Sequence, residues 1–325
     1  MDTKNVIAAI SLSAAAIILY SLFFAPSPNE LKTIDEQKSS LSSEAPKLEE
    51  SEKIVELSRD QALKESNRVE FENQNIKGSI SLMGGTIDDL IFKNYTETLD
   101  GKNKITLLNP KKYSEGYFVE TGWVSSSKNI ELPSSNTSWK VEGNNKLTPG
   151  NPVTLVWNNN QGISFKKKIK IDEKFLFSID QVITNQSEKS YDFYAYGQII
   201  RNKSPEVTNF YILHEGLIGV LNDQLVEKDY DDIEEKEFSQ KAETGWLGIT
   251  DKYWITTLIP EKNKEFRADF NFKNKFRANF IETKPLELES KGTVSSNVRV
   301  IVAAKEVDVI DLSLIHISEP TRRRT

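Results

Sequence analysis

Thiols are absent from this chain of 325 residues, and His214 and His316 are its only imidazoles. Disulfide frameworks, iron–sulfur clusters, cysteine nucleophiles and thiolate-built zinc sites are thereby excluded, and a histidine-built metal centre lacks ligands. His214-Glu215 is the one adjacent acid–base pair that contains histidine. Such a pair moves protons when both groups face one cleft. Neighbours on a strand point to opposite faces, so the pair reads as structural. The run Asp229-Tyr230-Asp231-Asp232 offers carboxylates but lacks the glycine and terminal glutamate of a calcium loop, and reads as a solvated loop. Gly84-Gly85, set between Ile80/Leu82 and Ile87/Leu90, reads as a hairpin turn rather than a phosphate cradle. Neither a Walker loop nor a Gly-x-Ser-x-Gly elbow is present. Trp123, Trp139, Trp157, Trp246 and Trp254 could stack on sugar rings, but core packing is the commoner use of such residues. No catalytic, cofactor-binding or metal-ligating residue is assigned, and no cofactor is expected.

The elements that would carry these residues are strands. From Arg68 onward the pattern has period two: Val153, Leu155 and Trp157 alternate with polar residues, as do Phe175, Phe177 and Ile179. Phe266, Ala268, Phe270 and Phe272 define one face, then Lys273-Asn274-Lys275 turns into Phe276, Ala278 and Phe280. Asn158-Asn159-Asn160-Gln161-Gly162 supplies another turn, and Val298, Val300 and Val302 close the series. The body is therefore all-β, a large antiparallel sandwich with one sheet face wet.

Two segments precede it. Val6 to Phe24 is apolar or small throughout, and its nineteen residues would span about 28 Å as a helix, enough to cross a hydrocarbon core. Bulky Phe23 and the following Pro26 make a poor cleavage site, so residues 1–25 read as a retained anchor rather than a signal peptide. Lys4 favours a cytoplasmic N-terminus. Residues 26–67 hold no aromatic side chain, and twelve acidic against seven basic residues between Glu30 and Glu72 place most of the net charge of −6 there. This stretch reads as an acidic flexible linker, with a transient helix possible over 47–66. The mean hydropathy of −0.48 excludes several membrane spans in this chain, and a pI near 5.3 argues against nucleic acid as a partner.

At the level of whole blocks, the sequence resembles the YidC-type membrane protein insertases of Gram-negative bacteria. The block Glu243-Thr244-Gly245-Trp246-Leu247-Gly248-Ile249-Thr250-Asp251-Lys252-Tyr253-Trp254, followed by Leu258-Ile259-Pro260, carries most of the likeness. Leu213-His214-Glu215-Gly216-Leu217-Ile218-Gly219-Val220 and Leu82-Met83-Gly84-Gly85-Thr86-Ile87-Asp88 with Tyr95-Thr96-Glu97-Thr98-Leu99 match further blocks. The opening Met1-Asp2-Thr3-Lys4-Asn5 is similar to the start of the family's uncleaved first helix, and Ala303 to Asp311 to the exit from its large periplasmic domain.

The resemblance implies a β-supersandwich of the galactose-mutarotase-like kind on residues 68–311, held on the periplasmic side of the inner membrane. It implies a role in inserting and folding inner-membrane proteins, alone or with the Sec translocon. The partners implied are nascent inner-membrane proteins, the translocon with its auxiliary subunits, and the lipid bilayer. No covalent catalysis is expected, and Gly245, Trp246, Gly248, Asp251, Lys252, Tyr253, Trp254, His214, Glu215 and Gly216 are expected to be structural. The family's insertase helical bundle has no counterpart in this sequence. Residues 312–325, ending Arg322-Arg323-Arg324-Thr325, resemble translated sequencing adapter and are expected to be non-native. The competing functional reading is an anchored periplasmic carbohydrate-binding or mutarotase-like protein, which would need an acid and a base converging across a sugar ring.

Overall fold

The computed structural model describes residues 56–98, 101–127, 129–205 and 214–305. In chain order they form α1 (Arg59–Leu63), β1 (Arg68–Glu72), β2 (Ile76–Ser81), β3 (Thr86–Thr96), β4 (Lys104–Leu108), β5 (Tyr117–Ser125), β6 (Lys140–Glu142) and β7 (Lys146–Leu147). There follow β8 (Val153–Asn158), β9 (Ile163–Ile171), β10 (Leu176–Asn185), β11 (Tyr191–Arg201), β12 (Gly216–Leu221), β13 (Gln224–Asp229) and α2 (Tyr230–Glu235). The last strands are β14 (Phe238–Ala242), β15 (Gly245–Thr250), β16 (Trp254–Ile259), β17 (Phe266–Phe272), β18 (Phe276–Glu282), β19 (Leu286–Leu288) and β20 (Thr293–Ala304).

Two sheets result. The larger has 11 strands and runs β14-β17-β18-β11-β5-β3-β2-β1-β7, with β19 on β11 and β4 on β3. The smaller has 9 and runs β13-β12-β15-β16-β20-β10-β9-β8-β6. The pairings are antiparallel except where β7 adds to β1. Alternation sends one side of each strand inward: β10 buries every second residue, and Phe177, Ile179 and Ile183 face a core shared with Phe71, Phe165 and Phe193. Phe71 meets Phe177 edge to face at 5.1 Å, the geometry that ring quadrupoles prefer. Each such phenylalanine contributes about 1.5–3 kcal/mol through burial.

Turn chemistry sets the register. Asn159 Oδ1 accepts from the amides of Gln161 and Ile163, each at 2.9 Å, which closes the β8–β9 turn. Asn222 and Asn274 sit at φ 51° and 61° in the turns after β12 and β17. Gly84-Gly85 does form the β2–β3 turn.

Two expectations need revision, and a helix allowed within 47–66 gains definite bounds. Asp229 to Asp232 is not a loop: Asp229 ends β13, and α2 starts at Tyr230 because Tyr230 and Ile233 are buried against the core. Within the stretch read as linker, residues 59–63 form α1, closed by a capping box between Ser58 and Gln61. Arg59 ties this helix to the body by pairing with Asp89 and donating to Asn109 Oδ1 at 2.8 Å. Nor is the outer face of the larger sheet uniformly wet, since Tyr117 to Trp123 of β5 are buried on both faces. The expected anchor and non-native tail fall outside the described residues. Among the described residues no helix is long and apolar enough to cross a membrane.

Candidate functional site

The signature blocks, separated in sequence, meet at one corner. β12 lies beside β15, with Gly216 opposite Thr250, Ile218 opposite Gly248 and Leu221 opposite Gly245. Two glycines permit close approach on the two sides of β15, Gly248 toward β16 and Gly245 toward β12. A Cβ on Gly248 would stand 2.1 Å from the Thr256 carbonyl oxygen, and Gly245, at φ 134°, would place one 1.9 Å from that of Val220. Trp246 is buried. Trp254 stacks on Phe92 at 4.7 Å and meets Tyr95 edge to face at 5.3 Å, which joins the third block to the first two.

Asp251 turns the chain between β15 and β16, its amide donating to the Trp254 carbonyl at 2.9 Å. Its carboxylate pairs with Arg201 Nη1. The same guanidinium nitrogen donates to Tyr230 Oη at 3.2 Å, and the guanidinium lies 4.8 Å over the Tyr117 ring. Burial works against the Arg201 charge, but Tyr230, Asp251 and Tyr117 outweigh it and hold its pKa above the ordinary value. Burial, reinforced by Asp251, raises the phenols of Tyr117 and Tyr230. Every member of this network has a partner, as a structural ion pair requires.

His214 precedes β12. Its Nδ1 lies 3.1 Å from the Asp229 carboxylate and its Nε2 3.2 Å from the Leu217 carbonyl. The carboxylate within its reach is thus Asp229, not the neighbouring Glu215. Counting back from the two-residue Asn222-Asp223 turn pairs Gly216 with Asp229, so the turn type carried the signal that pattern reading missed. Asp229 is exposed and His214 is not, and they bond to each other at a strand end rather than flanking a cleft. Lys305 fastens the corner: its amide donates to the Tyr253 carbonyl at 2.8 Å and its ammonium to the His214 carbonyl at 3.0 Å. Tyr253 is exposed, and the half-buried Lys252 holds its ammonium 5.2 Å over the Tyr253 ring.

A second polar region was not singled out by the sequence. On the face of the larger sheet opposite Val119, Ile199, Ala278 and Ala268, cross-strand register aligns Glu120, Gln198, Asn279, Asp269 and Ser239. Gln198 Nε2 donates to Glu120 Oε2 at 2.6 Å, and Ser239 Oγ to Asp269 Oδ1 at 2.7 Å. Two residues along β18 stands Arg277, opposite Asn271 and Ile200. A small cavity at the β5 end is lined by Glu120, Gly122, Ser135, Trp139, Lys167 and Tyr196. Lys167 enters it from the opposing sheet. β3 and β5 pair only at Ile87 and Val119, and two residues further on the Thr121 carbonyl accepts from Lys167 Nζ at 2.6 Å instead of from a strand. Burial pushes this ammonium down to about 8, with Glu120 opposing. Among the described residues no cluster of histidine and carboxylates could hold a metal ion. The tryptophans do not form an exposed platform, since Trp123, Trp139 and Trp246 are buried in the core.

The two sheets and their strand order define a galactose-mutarotase-like sandwich. The solved galactose mutarotase related enzyme from Lactobacillus acidophilus superposes with a TM-score of 0.52 at 10% identity, covering 74% of this chain and 99% of that one. That likeness concerns the fold alone. The family model described as the YidC periplasmic domain matches residues 68–319. The membrane protein insertase YidC of Pelagibacter ubique is 53% identical over 313 residues, 96% of this chain and 56% of that protein. The one from Mesorhizobium japonicum is 38% identical over 261 residues, 78% of this chain and 43% of that protein. The chain belongs to the YidC membrane protein insertase family, and spans about half the length of the curated relatives it matches.

Proposed function

We propose that the chain is the periplasmic part of an insertase that places and folds integral proteins in the bacterial inner membrane, alone or with the Sec translocon and its auxiliary subunits. In this reading residues 1–25 anchor the chain with the N-terminus cytoplasmic, residues 26–55 and the docked α1 segment lead out of the bilayer, and the sandwich stands in the periplasm. The observation that carries it is the 53% identity with an insertase across 96% of the chain. The physical work of insertion, lowering the barrier for polar segments to enter hydrocarbon, belongs to a helical bundle outside this sequence. The sandwich then serves as a scaffold and contact surface without covalent catalysis.

Depletion of a full-length version in its host should leave single-span and small two-span membrane proteins uninserted. Normal insertion under complete depletion would contradict the assignment. Incubating the chain with α-glucose or α-galactose should leave the rate of anomer exchange at its spontaneous value; acceleration would support the mutarotase-like reading instead.

A further inference from the structure

The row of polar side chains on the larger sheet ends in a concentration of positive charge that one carboxylate, Glu120, opposes. Arg277 projects from β18 beside the cavity face, and its Nε and Nη1 are both buried without a hydrogen-bond partner. Opposite it, Asn271 Oδ1 is likewise buried and makes no hydrogen bond, to Arg277 or to any other group. Lys275 stands two residues before Arg277, in the turn that leads into β18. Burial, together with repulsion by Lys111 and Arg277, pushes the Lys275 ammonium down to about 8, against the pull of Glu120. Burial likewise lowers the Arg277 pKa, again with Glu120 opposing. Glu120 is the carboxylate that faces these cations, and one of its oxygens is already engaged by Gln198 at 2.6 Å. Lys111 closes the group from the loop after β4, where its ammonium reaches Ser135 Oγ at 3.3 Å.

Such a group is costly in an apoprotein. Buried donors without acceptors forfeit their hydration, and like charges held together repel. Two other buried arginines are compensated: Arg201 by Asp251, and Arg68 by Asp88. Arg277 differs in that its Nε and Nη1 find no acceptor, Glu120 acting on it without a bond to either nitrogen. The geometry points to a binding site for an oxyanion, a carboxylate or a phosphate group, held by Arg277, Lys275 and Lys111 on the open face of the larger sheet. The anion supplies acceptors for the two free donors of Arg277 and cancels the mutual repulsion of the three cations. Glu120, through its bond to Gln198, bounds the site on the β5 side and disfavours ligands with negative charge at both ends. This site is independent of the insertase reading, because it rests on groups that play no part in the family blocks.

The test uses the full chain in detergent, titrated with inorganic phosphate and with acetate at constant ionic strength, and in parallel floated with vesicles of phosphatidylglycerol or of phosphatidylcholine. Saturable binding of either free anion, weakened about tenfold to a hundredfold in Arg277→Gln and in Lys275→Gln, supports the site with a soluble ligand. Flotation with phosphatidylglycerol alone, lost in the same two variants, supports it with a lipid phosphate as the source. Urea unfolding of each variant checks folding, and Lys168→Gln, on the other sheet, should bind as the unaltered chain does. Absence of both responses, or responses that Arg277→Gln and Lys275→Gln leave intact, would overturn the proposal.

Discussion

The signature corner and the polar face of the larger sheet both gather charged groups on strands, yet they treat those groups in opposite ways. At the corner, Arg201, Asp251, Tyr230 and Tyr117 satisfy one another, and Lys305 and His214 spend their hydrogen bonds on backbone carbonyls. On the sheet face, Arg277 and Asn271 hold buried polar atoms with nothing to bond. At the corner the polar side chains are thus spent on one another and on the backbone, whereas the unpaired groups of the sheet face lie outside the family blocks. A motif by itself does not say what its residues do. Only the state of its hydrogen bonds distinguishes a brace from a site.

The sharpest way to break this comparison is to remove one partner at the corner. Asp251→Ala leaves the Arg201 charge buried and unpaired, so the free energy of unfolding should fall by about 3–5 kcal/mol. Urea denaturation followed by tryptophan fluorescence measures it, and a loss below about 1 kcal/mol would move Asp251 from brace to candidate site. Gly248→Ala forces a methyl against the Thr256 carbonyl. A cost of about 1–3 kcal/mol is expected, with the far-UV spectrum of the sandwich retained. An unchanged midpoint would show that the glycine is needed for something other than strand approach.

The smallest effect concerns pH. Burial lowers Lys167 in the folded chain to about 8, against 10.5 when exposed. Between those values the unfolded chain binds more protons than the folded one, so stability should climb with pH from about 8 toward 10. Above that, the slope reverses, because burial keeps the phenols of Tyr117 and Tyr230 protonated while the unfolded phenols ionise. Lys167→Met should reduce the rise to the part contributed by Lys275, which is also lowered to about 8, and an equal rise in that variant would assign it to other groups.

How much of this could be read beforehand varies with the physics involved. β17 and β18 were plain, because Phe266, Ala268 and Phe270, then Phe276, Ala278 and Phe280, alternate around a three-residue turn. The pairing of His214 with Asp229 was recoverable from Asn222-Asp223, a sequence suited to the two positive φ values that it adopts. α1 was announced by Ser58 and Gln61, a capping box hidden by the acidic composition around it. α2 was concealed because Asp231 and Asp232 dominate a segment whose fold is decided by Tyr230. The polar face was illegible in principle. Glu120, Gln198 and Arg277 occupy alternate positions that look like a solvated strand face, and their burial depends on tertiary structure: neighbouring strands and the loop that carries Ser135. No local pattern encodes that.

The comparison between the two regions stands or falls on a pair of single substitutions studied side by side in the full chain. The urea midpoints of Asp251→Ala and Arg277→Gln should diverge, the first dropping steeply and the second staying within about 0.5 kcal/mol of the unaltered chain or rising above it. Equal losses in both, or a larger loss in Arg277→Gln, would contradict the account, because Arg277 would then be bracing the fold and Asp251 would not.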